Sequence, residues 1–411
     1  MPNGRLQIGT FLIDIGIPAE FATVRVTQHG NPTAVVEELT TNDSGQSIII
    51  DLPAPSLELS LEPQTLEIPY SEYDVYVTTP GYQTTEIEGV QILPDVTALQ
   101  DVSLTPLAEE IAPTRTIPIE PNTLWGNFPP KIPEDEVKPL PPSLGFVVLP
   151  NPIVPEFIIV HDGVPNDSTA PNYWIPFKDY IKNVASCEIY STWPIATIES
   201  NVLAIISFTL NRVYTEWYRG KGFDFTITSS TAYDHAFSYK RNIFDNINQV
   251  VDNLFNTFVT RPDIRQPLLT QYCDGARISC PNWMTQWGSK SLGDQGYDAV
   301  RILRHFYGQD IFLMGAERVV GVPSSFPGYN LQVGSTGASV RVIQEQINAI
   351  ANNYPAISRV AVDGIFGPQT RIAVETFQNI FRLPSSGIVD FPTWYRISNV
   401  YVAVTRIAEL V

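Results

Sequence analysis

The stretch Tyr180–Tyr214 reads YIKNVASCEIYSTWPIATIESNVLAIISFTLNRVY. Ile181, Val184 and Glu188 stand at i, i+3 and i+7, one face of a 3.6-residue period. The spacing predicts a short helix with a carboxylate on its apolar side. Beyond Trp193-Pro194 the apolar positions Ile195, Ile198, Val202, Ile205 or Ile206, Val213 and Trp217 recur mostly at threes and fours, which predicts a second, longer helix. Pro194 suits its start, because a proline there sacrifices no needed N–H. Glu188 is thus expected near the junction of two packed helices, partly out of water. Desolvation raises the pKa of a carboxyl in such a place, so it can stay protonated and act as an acid. A single Glu near a helix end is usually solvated or locally bonded, and spacing alone does not set Glu188 apart from that.

Outward from this stretch, residues 156–325 mix strands and helices. EFIIVHDG and FDFTITSS read as strands. RNIFDNINQVVDNLFNTFV and YDAVRILRHFYG read as helices, the latter ended by Gly308. This part is predicted to be an α+β domain. Residues 1–105 read as an all-β sandwich of about seven strands. LQIGTFLIDI, ATVRVTQ, QSIIIDL and YDVYVTT are its clearest strands, and Asn42-Asp43-Ser44-Gly45 and Pro80-Gly81 are turn signals. Between these parts, residues 106–155 hold 13 of the chain's 35 prolines, with Pro129-Pro130 and Pro141-Pro142 as pairs. Helix and central strand are excluded there. The segment is expected to be an extended connector, either a spacer or a junction open to proteases. Residues 329–400 hold two amphipathic segments, SVRVIQEQINAI and TRIAVETFQNIF, and a shorter helix predicted near Pro392, together a small three-helix bundle.

At 411 residues the chain has room for about two to four such domains. Its net charge of −18 is uneven: residues 1–110 carry two basic and seventeen acidic side chains, and the rest is nearly balanced at −3. A nucleic-acid partner is disfavoured, since phosphate binding needs a basic surface. No apolar run is long enough for a membrane span. The start, MPNGRLQIGTFLIDIG, has no basic region followed by a cleavable apolar core, so no secretory signal peptide is read. The three cysteines are Cys187, Cys273 and Cys280. Cys273 and Cys280 are close enough to pair or to share a metal, but without a histidine between them no metal site is assigned. No cofactor is expected.

Near the C-terminus, LQVGSTGASVRVIQEQIN, VDGIFGPQTRIAVETFQ and LPSSGIVDFPTW together resemble the three-helix peptidoglycan-binding domain of bacterial wall enzymes. Asp363, Gly364, Phe366, Gly367, Gln378 and Trp394 belong to its motif. Read physically, Asp363-Gly364 and Gly367 make turns, while Phe366, Val374, Phe377 and Trp394 look like core. The segment from Tyr180 to Glu188, with Trp193-Pro194 after it, resembles the SpoIID/LytB family of lytic transglycosylases. The block Cys280-Pro-Asn-Trp-Met-Thr-Gln286-Trp287-Gly288 resembles that family's S-Q-W-G turn. The resemblance implies Glu188 as catalytic acid/base. It departs at Ser207-Phe208-Thr209, where the family often has A-R-T, so no arginine is carried over. Tyr233, Asp234, His235, Gln286 and Trp287 are candidates to line a substrate groove, His235 also as a second base, and Trp193, Trp283 and Trp287 as sugar-stacking rings. For each of them core packing or a surface turn is the bland alternative.

The whole arrangement resembles the family of spore cortex-lytic enzyme precursors, the SleC type. That implies an acidic pro-region removed by a subtilisin-like protease at germination, spore cortex peptidoglycan as substrate, and a location in the spore cortex or at the coat–cortex boundary. A non-catalytic wall-binding scaffold is the alternative. A metal-dependent amidase would want histidine spacings that His29, His161, His235 and His305 do not supply.

Overall fold

A computed structural model describes residues 2–12, 16–107, 113–139 and 151–405. The protein is multidomain, with mixed sheets and eight α-helices among the described residues. Pro141-Pro142, and with them residues 140–150 of the connector, lie outside the described residues.

The front of the chain forms β1 (Asn3–Leu12), β2 (Ile17–Pro18), β3 (Thr23–Gln28), β4 (Asn31–Thr40), β5 (Ile50–Pro53), β6 (Ser71–Thr78), β7 (Thr85–Ile92), β8 (Thr97–Leu104) and β9 (Arg115–Pro118). One sheet has the order β4-β3-β6-β7-β9. In the other, β1 lies parallel to β8 from Arg5↔Thr97 to Leu12↔Leu104, with β2 and β5 also on β1. Alternate residues point inward and are buried: Val24, Val26, Val75 and Val77 from the first sheet, Leu6, Ile8, Ala98 and Val102 from the second. β9 lies in the proline-rich connector, but at a sheet edge and only four residues long, which is where a proline-bearing strand is tolerated.

The second sheet is completed from outside the front. Ile243 and Phe244 pair antiparallel with Leu99 and Ala98 of β8. Next to this seam, the Gln91 N–H donates to Asn242 Oδ1 and the Asn242 side-chain amide donates back to the Gln91 carbonyl, each at 3.0 Å. Front and centre are therefore joined by backbone pairing as well as by side chains.

The central part contains α1 (Phe177–Glu188), α2 (Ile195–Tyr214), α3 (Asp245–Leu254), α4 (Gln286–Asp294) and α5 (Ala299–Tyr307). The two helices expected around Glu188 are α1 and α2, and Pro194 is the N-cap of α2. The amphipathic pattern expected of α2 understates its burial. Ser200, Asn201, Ser207, Thr209 and Asn211 are as buried as Ile198 and Val202. The Ser207 hydroxyl, for example, donates to the Val259 and Leu268 carbonyls at 3.1 and 3.0 Å. α3, α4 and α5 surround α2, so it has almost no wet side after its first turn.

Three expected elements differ. The helix read across residues 241–259 is only α3, because Thr257–Thr260 leaves it as a strand against Phe312–Gly315; its β-branched residues suit that pairing. FDFTITSS contributes only Ile227–Thr228 to a sheet, beside Phe157–His161. Gln286-Trp287-Gly288 is not a turn: it opens α4, with the Thr285 hydroxyl accepting the Gly288 N–H as an N-cap.

The C-terminal helices are α6 (Ala338–Ile350), α7 (Pro368–Ile380) and α8 (Phe391–Thr405). The last was expected to be the short one and is instead the longest of the three, at 15 residues. Its first turns pack on the central part, with Phe391 5.4 Å and Tyr395 5.1 Å from the Phe255 ring. Arg382 reaches the front sheet, at 3.1 Å from Asp101 and 3.0 Å from Gln7.

Candidate functional site

α1 ends at Glu188 because Ile189 turns to extended geometry (φ −135°, ψ 163°). That stop aims the Glu188 side chain into the protein, where the residue is 4% exposed. Oε1 accepts the Ala236 N–H at 2.8 Å. Oε2 accepts the Gln286 side-chain amide at 3.1 Å and the Thr123 hydroxyl at 3.2 Å. The same Gln286 amide also donates to the Glu188 carbonyl at 2.8 Å, so the first residue of α4 grips the last residue of α1. All of these bonding partners are neutral. Burial therefore dominates and raises the Glu188 pKa, against the opposing pull of the Lys131 charge and the three hydrogen bonds.

Around the carboxylate stand Tyr180, His235 and Tyr272, all buried. His235 Nδ1 is 3.0 Å from the Tyr180 hydroxyl. Its ring stacks on Tyr272, with centroids 5.8 Å apart, and leans on Phe208 at 4.4 Å. Burial, and then the Lys131 and Arg212 charges, push His235 well below its ordinary value, so it is a neutral imidazole. Among the described residues, His235 Nε2 is a buried polar atom with no hydrogen-bond partner, while the Tyr272 hydroxyl faces Glu188.

The structure brings Gln286 and the backbone beside His235 onto Glu188. It distributes the other sequence candidates elsewhere. Asp234 accepts from Arg212 Nε at 2.7 Å, the Tyr218 hydroxyl at 2.6 Å and both the N–H and hydroxyl of Thr228. With no exposure and four donors on its two oxygens, one of them a guanidinium, its carboxylate is a strut. Tyr233 borders a separate cavity with Trp217, Tyr218 and Phe223. Trp287 packs on Trp193 at 4.9 Å, and the Trp193 N–H donates to the Ser60 carbonyl of the front at 2.8 Å. These two indoles belong to the contact between the front and the centre. Trp283 is half-buried, in the turn before α4.

Sequence reasoning missed Thr123, Lys131, Arg212 and Tyr272. The connector was expected to be a free spacer or an exposed junction, and residues 119–139 are neither. The Thr123 N–H donates to the Cys187 carbonyl at 2.8 Å, and Arg277 binds the Thr123, Trp125 and Gly126 carbonyls. Farther on, Glu134 pairs with Arg212 and Glu136 with Arg261. A chain barred by its prolines from ladder pairing satisfies its polar groups with side chains instead. One signal was present: Lys131 is a cation directly after Pro129-Pro130 in an acidic, proline-rich run. Cys273 and Cys280 form a disulfide, so of the two alternatives left open they pair. The loop that this bond closes carries Asp274 and Arg277, and Asp274 holds the Arg277 guanidinium at 3.0 Å.

In the C-terminal unit the motif residues hold loops. The Gln344 side chain accepts the Gly364 N–H at 2.8 Å and donates to Asp363 at 2.9 Å. Gln378 repeats the pattern, accepting the Gly387 N–H at 2.8 Å and donating to the Ile388 carbonyl at 2.9 Å. Each glutamine follows a V-x-x-x-Q spacing, Val340–Gln344 and Val374–Gln378, and each clamps a glycine with positive φ. Phe366 and Trp394 are core, the Trp394 N–H donating to the Ser324 carbonyl at 3.0 Å, and Gly367 is the N-cap of α7.

Residues 336–397 match the family described as "Putative peptidoglycan binding domain". The C-terminal unit thus points to peptidoglycan as a partner. No helix among the described residues is long and apolar enough to cross a membrane. Among solved structures, the N-terminal domain of SleB is 27% identical over 19% of this chain and 99% of that one, with a TM-score of 0.17. An (S)-allantoin synthase is 17% identical over 26% of this chain and 43% of that one, TM-score 0.17. A catechol 1,2-dioxygenase from Acinetobacter sp. ADP1 is 13% identical over 28% and 58%, TM-score 0.19. Likenesses at these TM-scores carry no assignment. No curated protein matches.

Proposed function

We propose that this chain is a peptidoglycan lytic transglycosylase made as an inactive precursor, with Glu188 as its single acid/base. The observation that carries the reading is a buried carboxylate bonded only by neutral donors and shifted upward by burial. Such a group holds its proton to higher pH than an exposed carboxyl does and can give it away. In the reaction, Glu188 protonates the oxygen between muramic acid C1 and glucosamine C4, and the C1–O bond breaks. The resulting carboxylate stabilises the oxocarbenium ion and takes the proton of the sugar's own 6-hydroxyl. O6 then bonds to C1, leaving a 1,6-anhydro end and a free glucosamine 4-hydroxyl. One carboxylate serves both proton transfers, whereas ordinary glycosidases need two. The internal nucleophile replaces a bimolecular attack and supplies much of the rate. Gln286 and the Ala236 N–H orient the carboxylate.

The C-terminal unit keeps the enzyme on an insoluble polymer and raises its effective concentration there. The substrate proposed is spore cortex peptidoglycan, the site of action the cortex or its boundary with the coat, and the trigger a subtilisin-like cut in the connector during germination. Incubating purified cortex with the full chain, the protease-cut chain and the cut Glu188→Gln variant tests this. Mass spectrometry should find anhydro-muramic ends from the cut chain alone. Reducing ends, freed stem peptides, or equal products from Glu188→Gln would defeat the reading; wall binding without products would favour a scaffold.

A further inference from the structure

We propose that the connector occupies the substrate groove as an internal inhibitor, and that the Lys131 ammonium stands where the cationic sugar forms, so that Phe208 and Tyr272 line the subsite of the reacting ring. The proposal rests on the lytic transglycosylase reading.

The connector runs between two loops of the central part. On one side Ile132 donates its N–H to the Ala232 carbonyl at 2.7 Å, and Lys131 donates to the Asp234 carbonyl. On the other, Gln271 accepts the Glu134 N–H at 2.8 Å and donates to the Ile132 carbonyl at 2.7 Å. Gln266 brackets Lys138 in the same way, at 3.0 Å in both directions. Upstream, the Thr123 hydroxyl sits on Glu188 Oε2, one of the two oxygens that could give up the proton. A polymer lying in this groove would meet the same loops, and the two cannot be present together.

Lys131 is partly exposed as a residue but sends its ammonium inward. The nitrogen lies 5.3 Å from the centroid of Phe208 and 5.3 Å from that of Tyr272. Burial lowers its pKa to about 8, and the Glu188 charge is the largest influence holding it up. Two ring faces and a carboxylate make a cation site. An oxocarbenium ion asks for the same environment, since its charge develops beside the acid that has just lost a proton. A methionine would fill this space without the cost of desolvating a charge, so the cation itself marks the field of the pocket. The unpartnered His235 Nε2 is then a polar atom left for the sugar.

The test uses the full chain carrying Lys131→Ala and Glu134→Ala, which loosen the connector and leave the buried Arg212 its Asp234 partner. Uncut, it should release anhydro-muramic ends from cortex at about ten times the rate of the uncut wild type or more. A synthetic peptide covering residues 119–138 should bind the variant in calorimetry and suppress release. The same peptide with Lys131→Met should bind about tenfold more weakly. Introducing Tyr272→Leu into the chain should abolish that difference, while Tyr272→Phe should keep it. A folded double variant as silent as wild type, or equal affinity of the two peptides, overturns the proposal. If the double variant does not fold, a chain cut at a site-specific protease sequence inserted within residues 140–150 takes the same two peptides and is judged by the same affinities. Calorimetry does not depend on turnover. Lysine-dependent binding with no anhydro ends from any form would sink the transglycosylase reading and leave the cation site standing.

Discussion

Glu188 and Asp234 are both buried carboxylates, and both border Lys131. Their neighbours make them opposites. Asp234 faces the Arg212 guanidinium at 2.7 Å and accepts two hydroxyls and an amide besides. Glu188 has no cation in bonding distance among the described residues, only an amide N–H, a side-chain amide and a hydroxyl. Burial beside a fixed counter-charge makes a rigid ion pair, whereas burial among neutral donors raises the pKa and makes an acid. Depth alone does not separate a strut from the acid proposed at Glu188.

The largest break in this contrast is Glu188→Gln. It keeps the shape and the Ala236 contact but has no proton to give, and should lower release of anhydro ends by about 10³-fold with the melting temperature nearly unchanged. Asp234→Asn should do the reverse and strike stability. It leaves the buried Arg212 with Glu134 alone, and urea unfolding should report a loss of about 3 kcal/mol. A variant as stable as wild type would remove Asp234 from the role of strut. Replacing Cys273 and Cys280 by serine opens the loop that carries Arg277 and should cost about 2 kcal/mol in the same assay.

The smallest expected effect sharpens the contrast most. In the proposed reaction Glu188 must be protonated to act, so activity of the cut chain should fall as pH rises through its elevated pKa. By linkage, the same group favours the fold below its unfolded pKa, and that contribution is lost as pH rises through the folded one. The Gln286 amide favours the charged form, so Gln286→Ala should move the alkaline limb of the rate profile upward by up to about one unit. A downward shift would mean that Gln286 matters through position and not through charge.

Much of this could be read along the chain. Helical spacing and Pro194 marked α1 and α2, since a local period needs no distant partner. The wall-binding unit was legible for the same reason: its turns and V-x-x-x-Q spacings lie within one short, self-contained segment. The length of α2's buried surface was not legible, because Thr197, Ser207 and Asn211 donate to the carbonyls of Ser289, Val259 and Pro267, some 50 to 90 residues later. The strand Thr257–Thr260 was hidden inside a helical pattern, because its partner at Phe312–Gly315 is equally remote.

Sequence alone determined that one carboxylate would sit at the end of a helix, facing inward, in a chain with a wall-binding tail. It could not determine what that carboxylate would face. Thr123, Ala236 and Gln286 come from three separate stretches, and Lys131 from a run whose prolines signal only extension. Periodicity reports which side of an element is buried. The charge and hydrogen bonding that turn a buried glutamate into an acid, or a proline-rich connector into a plug, depend on chain segments that meet only when the protein has folded.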